Sequence, residues 1–216
     1  MKKQYLVPLA GVLLVTVFAA AAYLYSQQQA NEMNELAQSN ASMLIRDYSP
    51  RAGNPDAKVT IVEFFDPACG TCKAFHPLVK KLMAAYPDQV NLVLRYATFH
   101  PGSDYVVKLL EAARLQDKFW ETLEATLDAQ SAWAAHGNPQ PERLWMRLGR
   151  TGLDFQKARN DMVSAEISRR LQQDMADVGA LQVTKTPSFF VNGKPLTSFG
   201  YEQLRALVDA EVRANY

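Results

Sequence analysis

Two cysteines stand in this chain, and both fall in "EFFDPACGTCKAFHP", Glu63 to Pro77. Thiols at the spacing of Cys69 and Cys72 can close a small structural loop, hold a metal, or pass electrons as a dithiol and a disulfide. The stabilisation from a disulfide grows with the loop it closes, so a bridge between these two adds little to stability. For a metal, Cys72 and His76 are four apart on a predicted helix and share a face. Cys69 sits just before that helix, and the three together suit copper or zinc. A structural zinc site takes four ligands, and the remaining histidines, His100 and His136, are distant in the chain. For electron transfer, Cys69 is placed between a strand and a helix N-terminus. The free amides and the helix dipole favour an anion there and lower a thiol pKa. Cys72, one turn in and shielded, is placed to resolve a mixed disulfide.

The flanking residues predict the elements that position this pair. "KVTIVEFF" (Lys58 to Phe65) is β-rich and apolar on both faces, as in the central strand of a covered sheet. In "CKAFHPLVKKLMAAY" the apolar residues Phe75, Leu78, Val79, Leu82 and Met83 recur with a helical period. "VNLVLRYA" (Val90 to Ala97) reads as a second buried strand, which completes a βαβ unit. A helical block of about 103–178 follows, interrupted by "NPQP" (Asn138 to Pro141). Trp120, Trp133 and Trp145 lie in it and read as core or cap residues. "PSFFVNGKPL" then gives two short strands around Asn192-Gly193, a hairpin signal, and an amphipathic helix ends the sequence. Phe189, Phe190 and Phe199 read as core, and Asp66 as a turn residue ahead of the first helix.

Composition and the N-terminus set the compartment. The 216 residues carry a net charge of +1, which predicts no basic face and excludes nucleic acid as an expected partner. Residues 6–25, "LVPLAGVLLVTVFAAAAYLY", hold no charge and match the roughly 20 apolar residues that a bilayer core requires. This is longer than the ~7–15-residue apolar region of a cleaved signal peptide, so 1–25 is expected to be a signal anchor; the small residues Ala19 to Ala22 leave cleavage open. Lys2 and Lys3 keep the start inside, which exports the rest. Residues 26–57, polar and ending in a Pro/Gly cluster, read as a spacer, partly helical near 31–45. The folded domain is expected over 58–216. The expected location is the bacterial inner membrane, single-pass with a periplasmic domain, or the periplasm itself if the N-terminus is cleaved.

The strand "VTIVEFF", then "CGTC", then a helix, and far downstream "VTKTPSFFVNGKPL", resemble the thioredoxin superfamily over 58–216. The helical insert is similar to that of its DsbA-like branch of bacterial envelope thiol:disulfide oxidoreductases. The resemblance implies an α/β thioredoxin fold, a central mixed sheet flanked by helices. It also implies a cis bond between Thr186 and Pro187, in a loop that faces the cysteines and presents backbone to a substrate chain. Glu63 falls where that family carries a buried acid beneath the disulfide. An acid in an apolar central strand is costly unless paired or neutral, and its raised pKa suits proton exchange with Cys72.

The expected activity is the introduction of disulfides into exported proteins through Cys69 and Cys72. The implied partners are exported proteins with thiols and a membrane reoxidase of the DsbB type; no cofactor is required. A reductase or isomerase is the alternative within the class, and a copper-binding envelope protein using Cys69, Cys72 and His76 the alternative outside it. Gly70, Thr71 and His76 are expected to tune the redox poise. The family's strongly oxidising pattern has Pro-His between the cysteines and often an acid in place of His76. Family potentials span on the order of 150 mV, and Gly70-Thr71 places this chain between the extremes. Replacing Thr71 by His is expected to add a charge that stabilises the Cys69 thiolate and so to raise the potential; a shift of about 30 mV, equivalent to ~1.4 kcal/mol, is measurable. Equilibration of the Thr71→His variant with glutathione checks this; an unchanged or more reducing potential refutes it.

Overall fold

The computed structural model describes residues 3–135 and 139–216, with side chains from residue 10 onward. His136 and Asn138 therefore lie outside the described residues. The centre of the molecule is β2 (Val59–Phe65), which pairs in parallel with β3 (Val90–Tyr96) on one side and antiparallel with β4 (Ser188–Val191) on the other. A parallel pair needs a crossover, and α3 (Gly70–Ala85) supplies it. All of β3 is buried, and in β2 only Thr60 is partly open, as expected for strands covered on both faces. β5 (Lys194–Pro195) closes a hairpin on β4 through Asn192 and Gly193, whose φ values of 48° and 82° suit the Asn-Gly pair.

The helical block runs from α4 (Ser103–Arg114) through α5 (Phe119–Asp128), α6 (Gln130–Trp133), a 3-10 turn over Pro141–Arg147 and α7 (Phe155–Met162) to α8 (Ala165–Ala180). Trp133 and Trp145 are buried in it. α9 (Tyr201–Asn215) packs on β2, β4 and α3.

The N-terminal stretch requires a correction. The expected spacer is not a separate segment. α1 is continuous over Lys3–Ser39, followed by the short α2 (Ala41–Leu44). β1 (Arg51–Ala52) then adds an antiparallel edge strand to β3, giving the sheet order β1-β3-β2-β4-β5. Ala37 and Leu44 are buried with Val62, Phe64, Val93, Val178 and Phe190 on one face of the sheet. The packed domain therefore begins ahead of residue 58. The sequence concealed this because "RDYSPRAG" carries no periodicity; what holds it is long-range charge pairing. In α1, Val12 to Val15, Phe18 and Leu24 are exposed, and the helix is long and apolar enough to cross a membrane, which fits a single-pass anchor or a signal.

That charge pairing centres on Arg95 in β3, whose side chain is fully buried. It donates to Asp174 at 2.9 Å and Asp177 at 2.6 Å, both on α8, and to the Met43 carbonyl. Arg46 reaches Asp177 at 2.6 Å and the Tyr48 hydroxyl donates to Asp174 at 2.7 Å. One cluster thus ties the sheet, the helical block and the N-terminal segment together. Removing one partner of such a cluster leaves buried charge uncompensated. Arg95→Leu is expected to cost about 3–5 kcal/mol of unfolding free energy. Arg46→Leu, at a partly exposed position, is expected to cost on the order of 1 kcal/mol. Urea denaturation of both variants checks the ranking, and equal losses would contradict it.

Candidate functional site

The site is built where β2 ends and α3 begins. Side chains alternate along a strand, so Glu63 shares a face with Ile61 and Phe65, in the same core region as Cys72, Phe75 and Val79 of α3. In the sheet its neighbours are Leu94 and Phe189, both apolar. Glu63 is 1 % exposed, and among the described residues its Oε1 has no hydrogen-bond partner. Burial raises its pKa to about 8, and a charge on Cys69 pushes the same way. A carboxyl so placed keeps its proton at neutral pH.

Cys69 is the N-cap of α3, with extended backbone (φ −72°, ψ 119°), and its Sγ accepts from the Cys72 N–H at 3.5 Å. As a thiol it donates to the Thr186 carbonyl at 3.2 Å. As a thiolate it must accept instead. Donation from the Cys72 thiol is the largest influence and lowers the Cys69 pKa to about 5; burial opposes this, and the Thr186 hydroxyl and the Cys72 and Thr71 backbone N–H groups add to it. Cys72 is pushed far up, first by burial, then by its hydrogen bond to Cys69 and the charge of Glu63. Both residues are covered: Cys69 is 5 % exposed and Cys72 fully buried. Access comes from the neighbours. Gly70 and Thr71 are exposed, and a Cβ at Gly70 would meet only open space.

The Thr186–Pro187 bond is cis, and Thr186 faces Cys69 through the contact just given. Cys69, Cys72, Glu63 and Thr186 therefore interact at one place. His76 does not join them. It is buried against α5, with Nε2 3.1 Å from Glu124 Oε1, which Lys80 also reaches. The copper reading needs His76 to converge with the two sulfurs, and here it converges on Glu124. Among the described residues no three His, Cys, Asp or Glu side chains gather as a metal-holding group. Phe199, expected in the core, is 41 % exposed and rests on Phe75 with ring centroids 4.8 Å apart.

Two residues do more here than the sequence reading assigned them. Asp66 is fully buried and accepts from the backbone N–H groups of Ala68, Phe99 and His100, from the His100 ring and from Ser103 Oγ. It fastens the cysteine loop to the start of the helical block. From the other side, Gln130 of α6 donates to the carbonyls of Pro67 at 2.9 Å and Cys69 at 3.0 Å. An amphipathic pattern carries no sign of a contact made 61 residues away, so only the fold reveals Gln130.

The two shifted groups have opposite effects on folding. Cys69, with its folded pKa lowered to about 5, stabilises the reduced fold above the unfolded thiol pKa, and this is lost as pH falls towards 5. Glu63, with its folded pKa raised to about 8, contributes stability that is complete below the unfolded value near 4.5 and is lost as pH rises through 8. Between about pH 5 and 8 the slopes cancel, each being ~1.4 kcal/mol per pH unit. The reduced protein is expected to show nearly flat stability across that window. Reduced Glu63→Gln is expected to gain stability with pH instead. Denaturant titrations at several pH values check this; a flat profile in Glu63→Gln would contradict it.

The fold has relatives among known proteins. A family model described as thioredoxin matches residues 46–210. A thioredoxin-like oxidoreductase from Silicibacter pomeroyi DSS-3 superposes with a TM-score of 0.69 at 29 % identity, covering 82 % of this chain and 99 % of that one. The thiol-disulfide exchange protein alpha-DsbA2 from Wolbachia pipientis gives 0.68 at 20 %, covering 85 % and 97 %. Oxidised BdbD from Bacillus subtilis gives 0.65 at 22 %, covering 77 % and 94 %. At these last two identities the likeness is one of fold. A curated relative, the Na(+)/H(+) antiporter NhaA of Herminiimonas arsenicoxydans, is 29 % identical over 162 residues, 74 % of this chain. The chain spans 25 % of that protein's length, and antiport belongs to the relative as a whole. With the βαβ unit, the Cys69–Cys72 pair at the head of α3 and the match over residues 46–210, the chain belongs to the thioredoxin family.

Proposed function

We propose that the chain introduces disulfides into exported proteins, with Cys69 as the reactive sulfur, Cys72 as the resolving one and Glu63 as the proton carrier. The observation that carries this reading is the asymmetry of the pair: Cys69 caps α3 with its Sγ 3.5 Å from the Cys72 nitrogen, a placement that lowers its pKa, while Cys72 is fully buried, which raises its own. A substrate thiolate attacks Cys69 Sγ of the disulfide, and the Cys69–Cys72 bond breaks. Cys72 is a poor leaving group at its raised pKa, and the protonated Glu63 supplies the proton it needs. A second substrate thiolate then attacks the substrate sulfur of the mixed disulfide and releases Cys69 as a thiolate. The substrate loses two electrons and gains a disulfide, and the chain is left as the dithiol.

The low Cys69 pKa supports this direction, because a stable thiolate leaves readily and stabilises the reduced form. At about 5 it lies between the general values of about 7 for a reducing member and about 3.5 for a strongly oxidising one. A membrane reoxidase of the DsbB type is the partner that takes the electrons onward. Thr186 and Pro187 present backbone to the substrate segment. The apolar half of α1 holds the domain at the periplasmic side of the inner membrane.

Cys72→Ala is expected to accumulate mixed disulfides with exported proteins through Cys69. Alkylation trapping of the unaltered protein in cells is expected to find the pair mostly oxidised. A mostly reduced pair would make the chain a reductase or isomerase. Trapping that runs through Cys72 in a Cys69→Ala protein would reverse the two roles.

A further inference from the structure

We propose that Gln130, in the helical block, is the positioning residue that sets how far Cys69 ionises. Its amide nitrogen bridges two carbonyls of the cysteine loop, Pro67 and Cys69, at 2.9 and 3.0 Å, and the residue is buried. Among the described residues the Pro67 carbonyl has no other hydrogen-bond partner. The Cys69 carbonyl also accepts the first intrahelical bond of α3, from the Lys73 N–H at 3.1 Å. Its direction is therefore fixed by two donors, one local and one from the helical block.

That direction matters because it defines ψ of Cys69, and with it the position of Sγ relative to the first N–H groups of α3. The Cys72 nitrogen lies 3.5 Å from Sγ and donates to it. A small rotation of the loop takes the sulfur out of reach of the donors that hold its charge. Asp66 fastens the same loop from the side of β3 and α4. Gln130 is the fastening that comes from α6, and α6 is itself pinned by the buried Trp133, whose Nε1 donates to the Thr126 carbonyl of α5 at 3.0 Å. The α5–α6 turn is thus joined to the backbone of the cysteine loop by hydrogen bonds as well as by packing.

This inference rests on the exchange reading of the cysteine pair, but its first readout needs no partner. In Gln130→Met the side-chain volume is kept and both donors are lost. The pH profile of Cys69 alkylation by iodoacetamide is expected to move upward, with the thiolate fraction on the acid side of the profile falling roughly threefold or more. The glutathione equilibrium is expected to move towards the disulfide by a similar factor, since a less stable thiolate makes the reduced form less stable. A residue that only fills space would leave both unchanged in this variant, and that result overturns the proposal. If Gln130→Met does not fold, the unaltered protein decides: the Gln130 side-chain amide protons are expected to be protected from solvent exchange, and free exchange overturns the clamp. A protein that exchanges disulfides with an unmoved Gln130→Met profile loses the clamp and keeps the exchange reading. A moved profile in a protein that fails to oxidise a reduced peptide keeps the clamp and loses that reading.

Discussion

The space between the end of β2 and the head of α3 favours a single negative charge. Glu63, Cys69 and Cys72 are all covered there, and each would ionise without the hydration that stabilises a charge. Glu63 and a Cys69 thiolate raise one another's cost, and Cys72 feels both. The charge settles on Cys69 because Cys69 has the larger set of donors: the Cys72 thiol and N–H, the Thr71 N–H and the Thr186 hydroxyl, against the Asp66 backbone alone at Cys72. The other two groups hold protons as a consequence. The division into a thiolate, a thiol and a carboxylic acid thus follows from one placement, a sulfur at a helix N-cap above a strand that carries a buried acid.

Such a placement tolerates little movement, and the rest of the structure limits it from several directions. Asp66 collects donors from the loop after β3 and from α4; Gln130 comes from α6; Thr186 comes from the loop before β4. Behind these, Arg95 with Asp174 and Asp177, and Tyr96 with Glu111, join the helical block to β3 through buried polar contacts. Replacing such a cluster by well-packed apolar residues is often neutral for stability, so what the charges add here is register. They join α8 and α4 to the sheet, and the turn that carries Gln130 belongs to the same block.

Much of this was legible in the sequence. The β2–α3–β3 unit, the Asn-Gly hairpin and the helical block follow from periodicity and turn chemistry, which are local. Glu63 was legible because an acid between apolar strand residues conflicts with its surroundings, and such a conflict marks a site. The errors share a cause: they depend on contacts between residues distant in sequence. The segment 46–57 has no pattern of its own and is ordered by Arg46 on Asp177, by Tyr48 on Asp174 and by an edge pairing to β3. His76 lies one turn from Cys72, yet a carboxylate on α5 draws it away. Phe199 has the composition of a core residue and a partner in Phe75, but it packs on the outer side of that ring.

The N-terminal segment links the site to the membrane question. A flexible spacer would let the domain wander over a distance set by its length. Here α1 continues as helix through Ser39, Ala37 and Leu44 enter the core, and Arg46 is held by Asp177. No free joint intervenes between the apolar half of α1 and the sheet, so with that half in a bilayer the domain is held by a rod and not by a tether. The rod's length follows from ~1.5 Å per helical residue, and its attachment is the same cluster of Arg95, Asp174 and Asp177 that seats the helical block. The helical block that carries Gln130 and the segment that follows α1 are therefore seated by connected parts of one packed structure, and a substitution at Arg95 perturbs both seatings.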